Sequence, residues 1–133
     1  MKSKKKRIMI LAITVIVALF LAALFFLVIK PEMSYKEIRQ MSIHNVDLSS
    51  LEDGVYQGEY TYGHYTYKAT IQIKDHKIEE ILVSHGNENE YAKAAEGVLD
   101  RVITEQKIDV DVVSGATTTS KALLKAVENA LSK

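Results

Sequence analysis

The chain has 133 residues, of which 47% are hydrophobic, room for one small domain and one accessory segment. It has no cysteine, which excludes disulfides, thiolate metal sites and a cysteine lipid anchor. Basic and acidic side chains balance at 17 each, but residues 31–133 hold 11 of the basic ones against all 17 acidic ones, which argues against nucleic acid as a partner.

The first seven residues carry Lys2, Lys4, Lys5, Lys6 and Arg7, a basic tail with no acidic residue. Residues 8–29 then run for 22 positions without a charge, with Thr14 alone polar. As a helix this span reaches roughly 33 Å, enough for a hydrocarbon core of about 30 Å. A cleaved signal peptide would have a shorter apolar core ending in small residues, whereas this run passes Ala22 and Ala23 into Leu-Phe-Phe-Leu-Val-Ile. The reading is an uncleaved transmembrane helix over 8–29. The basic tail places 1–7 in the cytoplasm and the rest of the chain outside, in a single pass. Pro31 is expected to end the helix, and 30–51 to form a juxtamembrane linker, with 34–42 a spacer rather than an amphipathic helix.

From Gly54 the period becomes two. Tyr56, Gly58, Tyr60 and Tyr62 share one face of a first strand, and Tyr65, Tyr67, Ala69, Ile71 and Ile73 one face of a second. Gly63-His64 and Asp75-His76-Lys77 are turns, and Ile78–Ser84 is a third strand, giving an antiparallel meander. The tyrosines fit a stacking platform for a flat ligand, but ordinary strand residues with one wet end explain them better. His44, His64, His76 and His85 are scattered, without the close pair of a zinc site, and no metal is expected. Glu88 and Glu90 fit a solvated helix start better than an acid–base pair. A helix follows over 90–106, with Tyr91, Ala95, Val98, Leu99, Val102 and Ile103 on its apolar face, and then a short strand or extended approach over 107–113, where Ile108, Val110 and Val112 alternate. The class is α+β: a small antiparallel sheet of three to four strands with two helices, preceded by one transmembrane helix.

The last stretch is Asp111-Val-Val-Ser-Gly-Ala-Thr-Thr-Thr-Ser120, ahead of an apolar run (Ala122, Leu123, Ala126, Val127, Ala130, Leu131) at helical spacing. Gly115 permits a tight turn, and a Ser or Thr side chain is expected to cap the helix. A helix start with free N–H groups also suits a phosphate, but the residues alone favour a simple cap over an anion site. No glycine pattern or lysine of a P-loop is present.

Asp111-Val-Val-Ser114-Gly115-Ala116-Thr117 resembles the flavinylation motif of the FMN-binding domain family, Asp-x-x-Ser/Thr-Gly-Ala-Thr/Ser, and Thr118-Thr119 matches its extension. Asp53-Gly54-Val-Tyr56-Gln-Gly58-Glu59 is similar to the family's first strand, so the resemblance covers roughly 52–132, within an extracytoplasmic domain of 52–133. The family includes the C subunit of the sodium-pumping NADH:quinone oxidoreductase and the G subunit of the Rnf complex. The resemblance implies FMN joined through its phosphate to Thr117, making a phosphoester-bearing protein. A flavin transferase would supply the FMN from FAD. Ser114, Gly115, Ala116, Thr118, Thr119 and Asp111 would surround the attachment. The family's Glu-Thr-Pro-Gly-like loop is replaced by His85-Gly-Asn-Glu-Asn-Glu-Tyr91, where His85 and Tyr91 are candidate flavin neighbours. No catalytic residue is implied. The expected role is electron carriage to a membrane or extracellular redox partner, rather than stand-alone enzymatic activity. A non-covalent FMN or ligand sensor and a structural extracytoplasmic domain are the alternatives.

Overall fold

The computed structural model describes residues 2–132, without the side chains of residues 2 and 28–34. Two compact units divide the chain between Glu37 and Ile38. The first is helix α1 as far as Glu37; the full span of α1 is Lys2–Gln40, so its last residues belong to the second unit. Within it Ser3–Leu27 is long and apolar enough to cross a membrane. Its one polar apolar-stretch residue, Thr14, donates its hydroxyl to the Leu11 carbonyl at 2.8 Å, which removes an unpaired donor from a surface fit for lipid.

Pro31 does not end the helix, which continues to Gln40. Proline forfeits one backbone hydrogen bond, but its fixed φ is itself helical, so a helix established over a long apolar run can carry through. The supposed spacer is therefore helical up to Gln40. Ile38 is 2% exposed, and Ile43 and Leu51 are also buried. Residues 38–51, read as linker, contribute to the core of the second unit. They do so with little regular structure because side chains serve their backbone. Asp47 Oδ1 accepts from the N–H and hydroxyl of Ser49 and starts a single 3-10 turn, Leu48–Ser50.

Strands β1 (Gly54–Tyr62), β2 (Tyr65–Lys74) and β3 (Lys77–Ser84) form one antiparallel sheet in the order β1-β2-β3. Gly63, at φ 59°, makes the first tight turn; Asp75 and His76, at φ 49° and 59°, make the second, the left-handed pair that a two-residue hairpin needs. On β2, Tyr67, Ala69, Ile71 and Ile73 are buried in strict alternation. On β3 the buried Ile78 and Ile81 are three apart, because the register shifts opposite Gln72/Ile73. The extra residue resets the phase, so both isoleucines face inward. Tyr56, Tyr60 and Tyr62 pack against the core and Tyr67 is inside it, so these four line the inner face, while Tyr65 is exposed.

The expected helix over 90–106 is two helices, α2 (Glu90–Ala95) and α3 (Gly97–Glu105), meeting at Glu96. Gly97 is a poor helix former at the joint, and the helix turns tightly there, with Leu99 N–H donating to the Glu96 carbonyl at 2.9 Å. In the short α2 only Ala92 and Ala95 are buried, and Tyr91 is 69% exposed. No strand forms at 107–113. Asn45 Oδ1 accepts from the N–H groups of Ile108 and Asp109 at 2.9 and 2.8 Å, taking donors a strand partner would have used. Gln106, left-handed at φ 53°, ends α3 and gives its side-chain amide to both backbone groups of Ile78, much as a neighbouring strand would.

Helix α4 (Thr117–Leu131) packs on β1 and β2 and carries the largest share of buried residues, including Leu123, Leu124, Val127 and Leu131. Gly58 permits this approach: a Cβ there would lie 2.2 Å from the Ala130 nitrogen.

Candidate functional site at the start of helix α4

The turn before α4 is built by Gly115, at φ 80°, and closed by the Ala116 N–H donating to the Val113 carbonyl at 3.0 Å. Left-handed backbone favours glycine here because a Cβ would crowd its own chain. The cap position falls on Ala116, which offers no side-chain acceptor, so the expected Ser/Thr cap is absent. The hydroxyls lie one step further on, inside the first turn, where Thr117, Thr118 and Thr119 are half-buried. By contrast α2 is capped in the ordinary way, Asn89 Oδ1 accepting from Ala92 N–H at 2.8 Å. The first N–H groups of α4 thus point out of a 15-residue helix with no side-chain cap, at the positive end of its dipole.

Side chains elsewhere hold this loop. Ser120 is fully buried, and its Oγ accepts from Val113 N–H at 3.2 Å. Arg101 Nη1 donates to the carbonyls of Asp111 and Val112 at 2.6 and 3.0 Å. Asp111 and Ser114 are exposed, and Ala116 is buried beneath the turn. Arg39 Nε donates to Thr118 Oγ1 at 3.3 Å. The Thr117 hydroxyl makes no hydrogen bond among the described residues.

His85 and Tyr91 differ in burial, His85 inside and Tyr91 in solvent. The His85 side chain is 5% exposed, its ring 5.5 Å from that of Tyr67 between centroids. Nε2 lies 3.1 Å from Glu96 Oε1; a carboxylate only accepts, so Nε2 carries the proton. Nδ1 is the one buried side-chain polar atom without a partner among the described residues. A cleft of about 370 Å³ opens beside it, lined by Ser84, Asn87, Glu88, Lys93 and Glu96 as well as His85. Tyr91 is not among its lining. The start of α3, next to Glu96, packs on the loop before α4: a Cβ on Gly97 would lie 3.9 Å from Val113 Cγ2.

Arg39, Glu96, Arg101 and Ser120 are contributors that periodicity and motif spacing do not reveal. Only Ser120 had a visible signal, as the last member of the hydroxyl cluster. No group of His, Asp or Glu suited to a metal ion occurs among the described residues.

A family model described as "FMN-binding domain" matches residues 62–132, more than half of the chain. An uncharacterized protein of Treponema pallidum (strain Nichols) is 36% identical over 85 residues. That alignment covers 62% of this chain and 24% of the relative, so the chain spans about a quarter of that protein's length.

Proposed function

Since this chain belongs to the FMN-binding domain family, we propose that it is a membrane-anchored flavoprotein carrying electrons outside the cytoplasmic membrane, with FMN attached to Thr117. The observation that carries this reading is the uncapped first turn of α4 inside the matched region. The donor set suits a phosphate: free helix N–H groups, the dipole's positive end, a glycine turn that leaves room, and a threonine hydroxyl with no other bond. A phosphodiester keeps one negative charge, which these donors favour.

In the attachment step Thr117 Oγ1 displaces AMP from the FMN phosphorus of FAD. One O–P bond forms, the pyrophosphate P–O bond breaks, and the hydroxyl proton leaves to a base of the transferase. Ser114, Gly115, Thr118 and Thr119 frame the acceptor. The exposed carboxylate of Asp111 serves transferase recognition, while its backbone carbonyl is held by Arg101. Bound FMN supplies reversible electron transfer. The His85 cleft, with its unpartnered Nδ1, is the polar recess offered to the flavin ring; Tyr91, out in solvent, is available to a partner instead. The basic tail keeps residues 1–7 inside, and the anchor keeps the flavin near membrane or extracellular redox partners.

Intact mass of the chain co-expressed with a flavin transferase tests this. The expected product is heavier by FMN less water, and Thr117→Ala stays unmodified with stability unchanged within about 0.5 kcal/mol. Flavin that leaves on denaturation, or an adduct that persists in T117A, overturns the covalent assignment.

A further inference from the structure

Arg39 lies outside the residues that the family model matches, at the end of α1, yet its guanidinium reaches the first turn of α4. We propose that Arg39 is a phosphate-binding residue of the flavin site, contacting the phosphodiester on Thr117; this rests on Thr117 being the acceptor.

Three observations support it. First, the contact is held in place by its neighbours. Ile38 is buried in the core beside it, and five residues later His44 is tied to Glu128 on the same helix, its N–H 3.1 Å from Oε2. Arg39 thus meets Thr118 and His44 meets Glu128, ten residues further along α4, a rise of about 15 Å. The segment therefore lies along α4, with Arg39 at the helix start. Second, Thr118 Oγ1 engages only Nε, and Arg39 makes no ion pair among the described residues. The guanidinium keeps donors of the fork that matches phosphate oxygens. Third, residues 111–120 contain no basic side chain and one acidic one, so a phosphate on Thr117 has no counter-charge within the motif. The other cations near the loop are Lys121, one turn along α4 from Thr117, and Arg101, whose Nη1 is taken up by the carbonyls of Asp111 and Val112.

The test uses the full chain in detergent with the transferase and FAD, comparing Arg39→Gln, Arg39→Lys and Lys121→Gln. Arg39→Gln should lower the initial rate of flavinylation about 10-fold, weaken its salt dependence, and shift the ³¹P resonance of the finished phosphodiester. Arg39→Lys should recover part of the rate. The unmodified R39Q chain should melt within a few degrees of the parent, which separates charge from folding. An unchanged rate and ³¹P resonance in R39Q, with Thr117 still modified, overturns the role of Arg39 and leaves the flavin reading standing. A slower rate with an unmoved ³¹P resonance makes Arg39 a transferase contact and also overturns it, as does a salt-sensitive loss found in K121Q instead. A parent chain that takes up no flavin overturns both readings.

Discussion

The two ends of α4 are made differently. Its C-terminal half is committed to packing: Ala126 and Ala130 lie against Gly58, Val127 and Leu131 are buried, and Glu128 is satisfied by Lys125 and His44. Its first turn carries three threonines without a side-chain cap on the backbone. Nothing in helix propensity demands this, since a serine or aspartate at position 116 would satisfy an open donor. One helix thus divides its work, with stability drawn from the far half and the donors of the near half left available to a ligand. Changes at one end should then alter stability, and changes at the other should alter flavinylation.

The largest effect belongs to the packed end. Gly58→Ala forces a methyl to within 2.2 Å of the Ala130 backbone, where no flexible side chain can give way. A loss of about 3 kcal/mol is expected in chemical denaturation. A change below about 1 kcal/mol would mean that α4 can slide on β1.

Glu128→Gln should cost roughly 2 kcal/mol, because a carboxylate with charged and backbone donors is replaced by an amide. Burial pushes the Glu128 carboxyl up, but hydrogen bonds from Lys125 and the His44 backbone, with the Lys125 charge, outweigh it and hold the group below its ordinary value of 4.5. A folded-state value below the unfolded one means that this stabilisation is complete above the ordinary glutamate range. It is lost as pH falls through the folded-state value. The gap between wild type and E128Q should therefore narrow in acid. A gap independent of pH would show that packing, not charge, is what the substitution removes.

The smallest effect on stability, and the sharpest on the contrast, is expected from Ala116→Ser. A cap hydroxyl should stabilise by about 0.5 kcal/mol while occupying a donor that a phosphate would use. Melting temperature should rise slightly and the flavinylation rate fall. A rate that rises with stability would mean the open cap has no part in acceptor chemistry.

Much of this was readable from residue pattern alone. Alternation located β1 and β2, because a sheet with one buried face imposes period two. Uniform apolarity marked a helix long and apolar enough to cross a membrane, and Asp111–Thr119 marked the loop ahead of α4. The sequence by itself thus determined where the elements lie and which threonine is the acceptor candidate, since period, apolar length and motif are local properties. Tertiary structure alone decided which groups surround that threonine. Asn45 replaced a strand partner at Ile108, Ser120 and Arg101 fixed the loop, and Arg39 arrived from 79 residues away in sequence. The absent cap on α4 was decided there as well, because the turn at Gly115 set Ala116, rather than a hydroxyl residue, at the helix boundary. Such contacts join side chains far apart in the chain, and no local period records them.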